Sequence, residues 1–148
     1  MGNFYTNAVR HPEDIGVGHI RRTVSAGASG FDAVPGIPIG ALEAGAIPLR
    51  ASAYIETLFN GTTPTITLGT AANVDGLATS AQIAPATAGN KGEAVLLGGA
   101  SPLYGIPLAV NTIFYVKLTQ TNTTAGKITA IIEFVNKREN EGIPFPNN

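Results

Sequence analysis

The chain has 148 residues, no cysteine, 13% charged residues and a formal net charge of −1. That length suits one domain with a real hydrophobic core. The missing cysteines exclude disulfides, thiolate metal sites and thiol catalysis, and the balanced charge excludes the basic footprint of a nucleic-acid binder. The 18 Gly and 10 Pro, set in a chain that is 44% hydrophobic, describe β-structure with many tight connections rather than a disordered polymer.

Residues 1–19 are polar, hold both histidines (His11 and His19) and lack sustained periodicity, so they read as an extended N-terminal arm. Their layout is not the basic-then-apolar order of a secretory signal, and no apolar run reaches the ~18 residues of a membrane span. A first strand is expected over 20–25, with Arg21 and Arg22 solvated at its head. Pro35, Gly36, Pro38, Gly40, Gly45 and Pro48 make 34–48 an extended edge segment followed by a turn at Glu43-Ala44-Gly45.

The stretch 47–59 then alternates with a period of two, the mark of a half-buried strand. Ile47, Leu49, Ala51, Ala53, Ile55, Thr57 and Phe59 fall on one side. Pro48, Arg50, Ser52, Tyr54, Glu56 and Leu58 fall on the other. Turn residues Asn60 to Pro64 break the run and 65–70 restarts it, as in a β-hairpin or a sandwich corner. Asp75 is placed to cap a short helix over 76–83, with Leu77 and Ile83 inward and Pro85 as its stop. A short strand is expected over 93–97. The last third reads as a second hairpin. Its strands are 112–121, with Phe114, Val116 and Leu118 on one face, and 127–136, with Ile128, Ala130, Ile132 and Phe134 on one face. Gly126 sits in the loop between them, where a positive φ is wanted. Residues 137–148 form a charged linker and a tail.

These seven or eight short strands predict an all-β fold: an antiparallel β-sandwich of jelly-roll type over 20–136, flanked by the arm 1–19 and the tail 137–148. No catalytic or phosphate-binding motif stands out. Glu13 and Asp14 between His11 and His19 make a poor metal set, and no metal, cofactor or enzymatic role is expected. Glu56 and Glu133 are the one carboxylate pair worth testing against glycosidase geometry. The positive signals are those of an interface. Tyr54 and Leu58 lie on the polar side of the long strand, Ile131 and Val135 on the polar side of the last. Phe4, Tyr5, Ile143 and Phe145 sit in terminal segments that cannot bury them unaided.

Four landmarks add a family likeness: Ala46-Ile47-Pro48 before the alternating strand, Phe59-Asn60-Gly61-Thr62 at its end, Leu68-Gly69-Thr70 closing the second strand, and Asp75-Gly76-Leu77. With the Thr-rich segment from Val116 to Phe134, this pattern resembles the small cement, or head-decoration, proteins of tailed bacteriophages. The resemblance covers roughly residues 45–136. It implies a jelly-roll protein on the capsid exterior, assembled in the host cytoplasm. Such a protein associates as a homodimer or homotrimer and bridges neighbouring major capsid protein subunits, with no part for nucleic acid or membrane. A phage fibre, tail or receptor-binding β-domain is the alternative.

Overall fold

A computed structural model describes residues 17–86 and 103–136, together with the backbone of 94–97. Among these residues the fold is all-β, with no helix. The strands are β1 (Val17–Ser25), β2 (Ile37–Leu42), β3 (Ile47–Thr57), β4 (Thr62–Thr70), β5 (Ala94–Leu97), β6 (Thr112–Thr121) and β7 (Lys127–Val135). They form two sheets, ordered β1-β7-β3-β5 and β2-β6-β4, in which every pairing is antiparallel. Odd-numbered strands occupy one sheet and even-numbered strands the other, so each connection between successive strands crosses between sheets.

That crossing decides between the two forms expected for the first turn and corrects the hairpin expected for the second. β3 and β4 are joined as a corner, the second of the two forms expected for 47–70. The C-terminal pair is a corner as well: β6 lies between β2 and β4, while β7 lies between β1 and β3. The physical reason is the strength of each one-sided apolar face. A loop of five residues spans the roughly 10 Å between packed sheets. The two faces then meet across the core instead of lying side by side. Phe114, Val116 and Leu118 from β6 and Ile128, Ala130 and Ile132 from β7 are all fully buried, and they join Ala51, Ala53, Ile55, Ile66 and Leu68 in one core.

Alternation along β3 holds from Ala51 to Ile55 and fails at both ends. Two β-bulges are the cause. Pro48 pairs with Phe134 and Arg50 with Glu133, leaving Leu49 as an extra residue; Ile55 pairs with Ile128 and Thr57 with Lys127, leaving Glu56 as another. Each extra residue reverses the in–out phase of what lies beyond it. Pro48 is therefore buried and Leu49 is 42% exposed. Past the second bulge Leu58 turns from the expected polar side to pack against the core.

The short helix expected over 76–83 is absent. The N–H groups of Leu77 and Ala78 donate to the carbonyl of Leu68, and the Leu68 N–H donates to the Ala78 carbonyl, so this segment pairs with the free edge of β4. Thr79 and Gln82 close a turn: the Gln82 side chain accepts from the Thr79 N–H at 2.8 Å and from its hydroxyl at 3.3 Å, and the Gln82 N–H donates to the Thr79 carbonyl. Only this one turn forms before Pro85, which has no N–H to carry it on. Leu77 and Ile83 are fully buried, as their spacing predicted. β1 begins at Val17, three residues earlier than its pattern suggested. Arg22 lies on the inner side of this edge strand, and its Nη1 donates to the Pro38 carbonyl at 3.2 Å, closing the rim between β1 and β2. An inward charge of this kind blunts the edge against pairing with another chain. β2 carries Pro38 and lies at the edge of its sheet, as expected of a proline-bearing strand.

Candidate functional site

The outer face of the β1-β7-β3 sheet carries Tyr54, Ile131 and Val135, three of the four interface residues predicted within the described chain, and two polar rows cross it. In the first, the Arg50 guanidinium grips the Glu133 carboxylate with both Nε and Nη2, the latter at 2.9 Å, and His19 of β1 lies opposite Glu133. The fork is the geometry that guanidinium and carboxylate share. The hydrogen bond from Arg50 holds Glu133 below the usual carboxylate range, and the same bond raises Arg50.

The second row depends on the Glu56 bulge. Thr23 Oγ1 and Thr129 Oγ1 lie 2.6 Å apart, Thr129 Oγ1 donates to Glu56 Oε1 at 2.6 Å, and Lys127 Nζ pairs with Glu56 Oε2 at 2.9 Å. The Thr129 bond, then the Lys127 bond, lower the Glu56 pKa. Thr129 is the buried member of the row, and its hydroxyl is satisfied on both sides. Both rows tie strands together through the cross-strand pairing that stabilises sheets.

The two rows meet β7 at Thr129 and Glu133, four residues or about 13 Å apart along the strand, and each carboxylate is turned to partners of its own rather than to the other. Both are held ionised, opposite to the raised pKa of a general acid. Among the described residues no three His, Asp or Glu side chains gather as a metal-binding group.

Half-buried apolar residues sit between and beyond the rows. Ile131 lies between them, opposite Arg21 on one side and Ser52 on the other, and Tyr54 lies opposite Thr129. Val135 lies at the end of the sheet, in register with Val17 on β1 and Ile47 on β3. Tyr54, Ile131 and Val135 thus share the face the sequence assigned them, while Leu58 does not. Phe4, Tyr5, Ile143 and Phe145 lie outside the described residues, as do His11, Glu13 and Asp14.

A concentration of apolar groups escaped the sequence reading. Val17, Leu49, Ile106, Val110 and Ile113 are five of the six large apolar side chains exposed among the described residues, and all lie at one end of the two sheets. This is where β1, β3 and β6 begin and β2 and β7 finish. The loop before β6 is fastened there by Gly105 N–H to the Pro48 carbonyl, Leu108 N–H to that of Ala46 and Gly45 N–H to that of Leu108. Tyr104 anchors the same loop. Its hydroxyl donates to the Leu77 carbonyl at 2.8 Å, and burial pushes its pKa up to about 12. One signal was available: Ile113 stands on the opposite face of its strand from Phe114, Val116 and Leu118. Leu49 was hidden by its bulge, and Ile106 and Val110 lie in a loop without periodicity.

No protein-family model and no curated protein sequence matches this chain. Solved structures share its fold. A chain of the cyanophage Pam1 capsid asymmetric unit aligns with a TM-score of 0.55 at 14% identity, over 84% of this chain and 87% of that one. A chain from the capsid of Ralstonia phage GP4 aligns with a TM-score of 0.51 at 19% identity, over 86% and 89%. At such identities the likeness is one of fold.

Proposed function

We propose that this protein is a structural component of a phage virion, a cement protein of jelly-roll type. It attaches to the outside of the capsid as a homo-oligomer and bridges neighbouring major capsid protein subunits, acting by contact rather than by catalysis. The observation that carries this reading is the shared fold with chains of two phage capsid structures along most of both partners' lengths. The jelly-roll assignment draws on the strand order. Successive strands alternate between sheets, and the Leu68–Ala78 bridge stands beside β4 where an eighth strand would complete the second sheet.

The physics of the surface supports the same role. Two side-chain rows lock the outer sheet face in one shape, and half-buried Tyr54, Ile131 and Val135 on it offer apolar area for contact. An oligomer that touches several capsid subunits at once gains from effective concentration, so each contact can be weak. The host cytoplasm is the compartment in which such a protein would meet a maturing head.

The test is to mix the purified protein with capsids that lack it and image the particles. Ordered, stoichiometric exterior density and a gain in heat resistance are expected. Bare capsids of unchanged heat resistance would refute the reading.

A further inference from the structure

The apolar end of the two sheets needs an occupant. Exposed side chains of Val17, Leu49, Ile106, Val110 and Ile113 share that end, at 42–66% exposure, and half-buried Ile47 and Val135 lie beside them. Scattered single apolar residues need no explanation, but a group at one end marks a contact. Both terminal segments join the fold at this end, through Val17 and Val135, which pair with each other. We propose that the chain's own C-terminal segment Ile143-Pro144-Phe145-Pro146 folds back and docks on this end.

Three features single out that segment. The first is reach. Ile143 is eight residues beyond Val135, a span of up to about 26–29 Å. The apolar end extends from the outer face of one sheet to that of the other, and the sheets are only about 10 Å apart. The second is the composition of the connection. Lys137, Arg138, Glu139 and Glu141 carry two charges of each sign and remain in water while the chain reverses.

The third is backbone chemistry. Any segment laid on an apolar surface must leave no buried N–H unpaired. Pro144 and Pro146 have no N–H, and proline holds a chain extended at small entropic cost. Ile143 and Phe145 alternate with them, so an extended segment presents both on one side. The N-terminal segment suits the seat less well, because residues 1–11 around Phe4 and Tyr5 hold no proline and each brings a backbone N–H that would need a partner. A short tether also gives the docked segment an effective concentration in the millimolar range, so a weak contact suffices. The inference is independent of the capsid reading, since it concerns the isolated chain.

Nuclear Overhauser spectroscopy on the full chain with labelled Ile, Leu and Val methyls and labelled Phe rings tests it. The expected result is cross-peaks between the Phe145 ring and methyls of Ile106, Val110, Ile113 or Leu49. They should persist when labelled protein is diluted into unlabelled protein. Phe145→Ser should abolish them and shift those methyl resonances, while core methyls of Ile55 and Ile66 stay in place. Missing cross-peaks together with unmoved methyls in the variant would overturn the proposal. So would cross-peaks that occur only between differently labelled molecules, which would make a second copy the occupant.

Discussion

Asn60 is the residue on which the two far corners of the fold depend, and its removal makes a quantitative test. Its side chain joins the β3–β4 corner to the β6–β7 corner. Oδ1 accepts from the backbone N–H of Thr124 at 2.8 Å and of Ala125 at 2.9 Å, and Nδ2 donates to Thr124 Oγ1 at 2.9 Å. Two further bonds use its backbone: its N–H donates to the Ala125 carbonyl, and its carbonyl accepts from Thr123 Oγ1. Asn60→Ala removes the three side-chain bonds and keeps the backbone pair. Each hydrogen bond contributes a net 0.5–1.5 kcal/mol as a rule, and the stranded N–H groups here are exposed enough to take water. The low end of that range applies, giving a loss of about 1.5–2 kcal/mol. In a domain of this size that lowers Tm by roughly 5–7 °C. Asn60→Asp keeps the acceptor for both N–H groups and gives up only the Nδ2 donor, so about 0.5 kcal/mol is expected. The assay is urea unfolding followed by circular dichroism and tyrosine emission, the chain having no tryptophan. The m-value should stay constant across the three proteins. An Asn60→Ala loss under about 0.3 kcal/mol, or an Asp variant as weak as the Ala variant, would refute the assignment of this side chain as the clamp.

Gly126→Ala should cost about 3 kcal/mol or more in the same unfolding assay. Gly126 has φ +146, and a Cβ there would stand 2.3 Å from the ring of Phe59, which is itself buried edge-to-face on Phe31. Acid sensitivity should trace to Glu56 and Glu133. Both have folded pKa values below the ordinary 4.5, so their contribution is present above that value and is lost as pH falls through the folded values. Thermal melts from about pH 6 down to about pH 3 should therefore steepen in the native protein and flatten in a Glu56→Gln, Glu133→Gln double variant.

Why the strands were legible and the sheets were not follows from what each depends on. A period of two is a local property. Ala51, Ala53 and Ile55 in β3, Phe114, Val116 and Leu118 in β6, and Ile128, Ala130 and Ile132 in β7 declared their buried faces through it. Sheet membership is a property of the whole chain. A corner and a hairpin use similar turn residues, so Asn122 to Gly126 could not say which way β7 would go. Bulges hide for a related reason. Leu49 and Glu56 are extra only relative to the β7 residues they oppose, about eighty positions further on. The helix expected over 76–83 failed by competition. Pro85 stands where its stop was expected, but no cap forms at Asp75, because the N–H groups of Leu77 and Ala78 find their partner on the open edge of β4.

The same bulges connect fold to surface. Were β3 regular, Glu56 would keep strict alternation and Leu58 would stay on the outer face beside Tyr54. The extra residue at position 56 instead sends Leu58 to the core and leaves the carboxylate with Thr129 and Lys127. At the other end, the extra residue at 49 puts a leucine outside and Pro48 inside. One strand therefore ends in a satisfied polar row at one end of the sheet and an unsatisfied apolar group at the other. Polar rows that satisfy themselves have little left to offer a partner, because every bond made outside must replace one made within. Apolar exposure has no such competitor. The pull toward another surface is therefore strongest at the end that holds Val17, Leu49 and Val110, where the chain's own tail is the proposed occupant.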